Sequence, residues 1–160
     1  ILIFLLIIFI YIMNKHKNNW GKFTWNLFHT LIELLPDNNY KQLGPIIFNS
    51  IKSICTVLPC PDCSAHATEY LKSVQFNHLP TKEHMKQFFY HFHNHINKNN
   101  NKPIYPYKNM DKYKQGNLTV IYNNVNILFS KNYGNPRMMV NSLRRKKILQ
   151  HLHKIIQQYY

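Results

Sequence analysis

Apolar residues recur along most of this chain at intervals of three and four, the spacing that gives a helix one buried stripe. The first stripe reads Trp20, Phe23, Leu27, Leu31 and Leu34/Leu35, and Pro36 ends it. A second helix is predicted from near Gly44-Pro45, where proline suits a first turn. Its stripe is Ile47, Ile51, Ile54 and Leu58, with Pro59 as the interruption. Pro61 opens a third helix, running to about Val74 with Cys60 near its N-cap. Thr81 caps a fourth, whose buried face is Met85, Phe88/Phe89, Phe92 and Ile96. Helices joined by short loops predict a small all-α bundle.

Beyond the Asn/Lys-rich link Lys98 to Lys102, Pro106 opens a short fifth helix ending near Lys114. The pattern then changes. Leu118 to Phe129 is rich in β-branched and aromatic residues around Asn123-Asn124, which predicts a hairpin with a two-residue turn. Helical spacing returns from Met138 to Tyr160 through Leu143, Leu149, Leu152 and Ile156. At the other end, Ile1 to Met13 carries no charge. About 20 apolar residues span a bilayer, so this run is expected to be the last part of a membrane anchor whose beginning is cut off. Phe9 to Trp20 offers no small residues for a signal-peptide cleavage site. Lys15, Lys17 and Lys22 behind the run place the rest of the chain on the cytoplasmic side under the positive-inside bias.

Charge changes this picture little. The 160 residues hold Lys+Arg 20 against Asp+Glu 6, a net charge of +14 that invites nucleic acid or an anionic surface. Of the basic residues 17 are Lys and 3 are Arg, and Asn is frequent, the pattern an AT-rich genome writes at permissive surface positions. Nucleic acid is therefore disfavoured as a partner, and Arg144 to Lys147 reads as a solvated helix face. With 4 Gly and neither GxGxxG nor GxxxxGK[ST], the commonest phosphate-cradling loops are excluded.

The candidate chemistry sits in three cysteines, Cys55, Cys60 and Cys63, an odd count that argues against a structural disulfide framework. Cys60-Pro61-Asp62-Cys63 falls where a helix begins, and unpaired backbone N–H groups there stabilise a thiolate. Such a pair is suited to thiol–disulfide exchange. The alternative is a zinc-stabilised basic binding module in which Cys55, Cys60, Cys63 and His66 are the ligands. Against that, Cys55 has a spacing compatible with core packing beside Phe48 and Leu58. A thioredoxin fold would need strands around the motif, and the surrounding patterns are helical.

Three further segments carry a resemblance. WGKFTWNLFH from Trp20 to His29, LPCPDCSAH from Leu58 to His66, and HNHINKNNNKPIY from His93 to Tyr105 together resemble, in order and spacing, the Erv/ALR family of FAD-dependent sulfhydryl oxidases. Ile96, Tyr105, Phe28 and Leu58 replace the family's Val, Phe, Leu and Tyr. The resemblance covers about Lys17 to Lys114, so the chain divides into the apolar segment 1–13, an oxidase-like domain 17–114, and an extension 115–160 whose role it does not assign.

The resemblance implies a five-helix module binding FAD, with the Cys60–Cys63 disulfide against the flavin. It implies that Cys60 exchanges with substrate and Cys63 faces the cofactor, with electrons passing on to molecular oxygen to give hydrogen peroxide. Carried over by position, Lys17, Gly21, Lys22, Trp25 and His29 lie near the cofactor from the first helix, and His66 follows the cysteines. His93, Asn94, Ile96 and Asn97 line it from the fourth helix, while Lys102 and Tyr105 close over the nucleotide and Lys114 falls near the family's Arg-Trp contact. Expected partners are protein dithiols or a thioredoxin-like carrier, a membrane held through the N-terminus, and a second copy of the chain in a homodimer. A minimal oxidase with this apolar start and AT-rich composition looks like those of large DNA viruses, which points to a virion membrane.

Overall fold

The computed structural model describes residues 19–131 and 136–160, so the apolar run and Lys17 lie outside the described residues. Its elements are α1 (Asn19–Glu33), α2 (Tyr40–Cys55), α3 (Pro61–Leu71), α4 (Lys82–Asn99), a 3-10 segment (Tyr107–Gln115), α5 (Leu118–Ser130), the short α6 (Pro136–Val140) and α7 (Ser142–Tyr159). Among the described residues the fold is all-helical, as the periodicity predicted. The helical stripes meet in one core that includes Leu27, Leu31, Ile47, Ile51, Phe89 and Phe92.

The predicted hairpin is absent: Leu118–Ser130 is a helix. Its apolar positions Leu118, Ile121, Tyr122, Val125 and Phe129 repeat at three and four, and all are buried. The Asn117 side chain accepts the Val120 N–H at 3.1 Å and caps the start. Packing of that stripe against α1 overrides the β-preference of the individual residues. Gly116 permits the approach, because a Cβ there would sit 2.5 Å from the Thr30 methyl.

Other boundaries move for local reasons. Helix α2 begins at Tyr40, with Pro45 inside it, because Tyr40 and Leu43 are already buried and the Tyr40 hydroxyl donates to the Leu79 carbonyl at 2.7 Å. The expected fifth helix is a 3-10 segment. The C-terminal helix is broken at Asn141 into α6 and α7. Helices α5 and α7 share the core of the first four helices: α5 packs on α1, α7 packs on α2 and α5, and their apolar side chains join the same cluster. Arg145, expected on a solvated face, is 3% exposed. Among the described residues no helix is long and apolar enough to cross a membrane.

Candidate functional site

An open cleft of about 1660 Å³ runs between α1, α3, α4 and the 3-10 segment, and the Cys60–Cys63 pair stands on its wall. The local sequence explains why. Pro59 and Pro61 bracket Cys60, which takes extended backbone as the N-cap of α3, and Pro61 occupies the first turn. The Cys63 N–H donates to the Cys60 sulfur at 3.2 Å. The two cysteines are joined as a disulfide with Cα atoms 5.2 Å apart, and Cys63 packs against the core. When that bond opens, the same N–H and the helix dipole stabilise negative charge on Cys60.

Cys55 is a free thiol with 1% exposure, and burial pushes its pKa up to about 12. It is neutral and remains outside the exchange pair. Among the described residues no three His, Cys, Asp or Glu side chains are gathered as a metal site, so the four-ligand zinc alternative is not assembled.

The same cleft is lined by a set of stacked rings. Trp25 stacks on His93 with centroids 4.2 Å apart, and His93 stacks on Tyr105 at 5.0 Å. Behind them the His29 Nε2 and His93 Nδ1 atoms lie 3.1 Å apart. Burial, followed by the neighbouring charges of His93 and Lys112, lowers His29 to about 3. Burial, then Lys112 and Lys102, lowers His93 to about 4. Both rings are thus neutral near pH 7, and one proton is shared along their contact. The buried His29 Nδ1 has no hydrogen-bond partner. An orphaned N–H costs more than an under-used acceptor, so His29 donates from Nε2 and His93 keeps its Nε2–H as the donor available to the cleft.

The rim turns back over the cleft through a helix-end motif. Asn101 has φ 53°, the Asn101 N–H bonds the Lys98 carbonyl, and the Lys102 N–H bonds the Asn97 carbonyl at 2.8 Å. This paired closure reverses the chain after α4, with asparagine in the left-handed position. Asn94 then clamps the returning strand of chain: its Oδ1 accepts the Tyr105 N–H at 2.7 Å and its Nδ2 donates to the Tyr105 carbonyl at 3.2 Å.

Of the residues predicted from sequence, Gly21, Lys22, Trp25, Cys60, Cys63 and His66 line the cleft. So do His93, Ile96, Asn97, Lys102 and Tyr105. His29 and Asn94 are buried behind it, one as partner to His93 and the other as the Tyr105 clamp. Lys114 is exposed and bound to Asp111 at 2.7 Å, and the cleft instead receives Lys112 and Tyr113. The Lys112 ammonium lies 5.1 and 5.0 Å from the Tyr105 and Tyr113 ring centres. Tyr70 also lines the cleft and stacks on Phe92 at 4.6 Å. Met110 and Tyr113, three apart in the sequence, are both buried and mark the side of the 3-10 segment that turns inward.

Residues 22–115 match the model of the Erv1 / Alr family. The chain belongs to that family. Its Erv1/Alr segment is 31% identical over 85 residues to protein 096R of Invertebrate iridescent virus 3, whose name assigns it provisionally to the FAD-linked sulfhydryl oxidases. That alignment covers 52% of this chain and 57% of the viral protein. A similarly named protein, 347L of Invertebrate iridescent virus 6, is 28% identical over 93 residues, covering 54% of this chain and 84% of its own length. The FAD-linked sulfhydryl oxidase ERV1 of Arabidopsis thaliana is 26% identical over 95 residues, 59% of this chain and 49% of the plant protein. No solved structure matches this Erv1/Alr chain.

Proposed function

We propose that this Erv1/Alr protein is an FAD-dependent thiol oxidase that forms disulfide bonds in protein substrates. The observation that carries the reading is the Cys60–Cys63 disulfide at the start of α3, in one cleft with the Trp25, His93 and Tyr105 rings. The residues present fit FAD. The stacked rings offer an apolar wall to a planar heterocycle, the His93 Nε2–H offers it a donor, and Lys22, Lys102 and Lys112 on the same cleft suit its phosphates. Bound there, FAD supplies the two-electron relay from a dithiol to oxygen, with hydrogen peroxide as product.

The chain's own part is thiol–disulfide exchange. A substrate thiolate attacks the Cys60 sulfur, the Cys60–Cys63 bond breaks, and Cys63 leaves as a thiolate packed against the core. The second substrate thiolate attacks the mixed disulfide, forming the substrate disulfide and releasing Cys60 to the N–H groups of α3. Two electrons now reside in the Cys60 and Cys63 dithiol beside the flavin site. The neutral His29–His93 pair orients a donor there without adding a buried charge.

The apolar, charge-free run Ile1 to Met13 followed by Lys15 and Lys17 supports membrane anchoring with the oxidase domain on the cytoplasmic side, including a virion membrane. Dithiol substrates reach Cys60 directly or through a thioredoxin-like carrier, and a homodimer is the expected assembly. The test is direct. The purified protein should be yellow, release FAD on denaturation, and consume oxygen with a model dithiol. A colourless protein that holds no added FAD, or no loss of turnover in Cys63→Ser, refutes the reading.

A further inference from the structure

The last helix grips the turn that leads into the redox loop. Arg145 Nε donates to the Val57 carbonyl at 2.9 Å, and its Nη1 donates to the Phe129 carbonyl at 3.1 Å. Val57 follows the end of α2 and Phe129 lies in the last turn of α5. Helix C-termini carry carbonyls without intrahelical partners and the negative end of the dipole, so one buried cation satisfies a carbonyl in the last turn of α5 and another in the turn just past α2. The exposed neighbour Arg144 donates from Nη2 to the Thr56 hydroxyl at 3.1 Å. Thr56 and Val57 run straight into Leu58, Pro59 and Cys60.

The turn is also tied to α2, since the Thr56 and Val57 N–H groups donate to the Ser53 and Ile54 carbonyls at 3.1 and 3.0 Å, and beyond it the loop is held by the helix that carries the disulfide. The Leu58 carbonyl accepts the Ser64 hydroxyl at 3.5 Å, and the Cys60 carbonyl accepts the Ser64 N–H at 2.9 Å. Both donors travel with α3. Pro59 and Pro61 contribute no N–H. Arg145, by contrast, holds the loop from 88 residues away and ties it to the end of α5.

We propose that Arg145, supported by Arg144, is a positioning residue for the Cys60–Cys63 couple. It fixes the Thr56–Val57 turn so that the two sulfurs stay within bonding reach on the cleft wall. The proposal rests on the oxidase reading above, and it assigns a role to a part of the chain outside the matched residues 22–115. A held loop raises the effective concentration of one thiol at the other, which favours the disulfide over the dithiol. Releasing the Val57 carbonyl shifts the couple toward the dithiol.

The experiment equilibrates the full chain in oxygen-free glutathione buffers of graded ratio, alkylates free thiols, and reads the Cys60–Cys63 redox fraction by mass spectrometry. Arg145→Met removes both hydrogen bonds and should shift the equilibrium constant about tenfold toward the dithiol, about 30 mV for a two-electron couple. Arg145→Lys keeps the charge, cannot span both carbonyls, and should shift it about threefold in the same direction. Leu152→Ala is the control, since it loosens the buried face of α7 without touching the loop and should leave the couple unchanged. Should Arg145→Met fail to fold, Arg145→Lys decides. An unchanged couple in the folded arginine variants, or an equal shift in Leu152→Ala, overturns the proposal. The readout uses neither flavin nor oxygen, so absence of oxidase activity in the unaltered protein would refute the function while leaving this result standing.

Discussion

Lowering the pH from 7 to 5 should destabilise the fold through two side chains, His29 and His93. Both are buried, with 1% and 7% exposure, and their pKa values fall from 6.5 to about 3 and about 4. The unfolded chain takes up a proton on each ring as pH drops through 6.5, and the folded chain does not. Stability is therefore fully present above pH 6.5 and declines as pH falls from there toward about 4. From pH 7 to pH 5 each ring removes about 2 kcal/mol, about 4 kcal/mol for the pair. Between pH 5 and 6 the slope is about 2.4 kcal/mol per pH unit, a large share of the 5 to 15 kcal/mol typical of a domain. Urea unfolding at several pH values gives this slope directly. His93→Asn should cut it to about half, because one proton uptake disappears. His91→Asn, on an exposed site, should leave it alone. The reasoning fails if the slope is the same in His93→Asn, or if ring resonances of His29 and His93 titrate near 6.5.

Asn94→Ala removes both hydrogen bonds to Tyr105 and should cost about 1–3 kcal/mol in stability while lowering FAD per polypeptide after gel filtration. Asn101→Val places a β-branched residue at φ 53° and should cost about 1–2 kcal/mol, whereas Asn101→Gly should be tolerated in the same thermal melt. Cys60→Ser and Cys63→Ser should each abolish dithiol-driven oxygen uptake, while Cys55→Ser should keep turnover within about threefold and lower stability by about 1–3 kcal/mol from its buried hydroxyl. Gly116→Ala should destabilise by about 1–3 kcal/mol, since the added carbon meets Thr30 at the α1 crossing.

The first four helices were legible because long stripes such as Ile47, Ile51 and Ile54 leave one face to bury. Residues 118–129 misled because composition and periodicity disagree there. Valine, isoleucine and tyrosine speak for a strand, while Leu118, Ile121, Val125 and Phe129 speak for a helix, and only the opposing face of α1 decides between them. In the cleft, Trp25, His93 and Tyr105 were legible through motifs. Lys112 was not, because the resemblance pointed two positions further on, to Lys114, whereas the 3-10 segment buries Met110 and Tyr113 and brings Lys112 to the cleft. Arg145 was hidden for a different reason. A basic run looks uniformly solvated until tertiary contacts reveal which member has a carbonyl on either side.

The Tyr160 hydroxyl donates to the Leu31 carbonyl at 2.6 Å, across a separation of 129 residues. In terms of timing, α1 is made well before α5 and Tyr160, the partners it later receives. Local helices can form as they emerge, whereas contacts of such long sequence separation have to wait for their partners. Until then the face of α1 that packs on α5 lacks its cover. Removing α7 would therefore prolong the interval in which aggregation competes with folding.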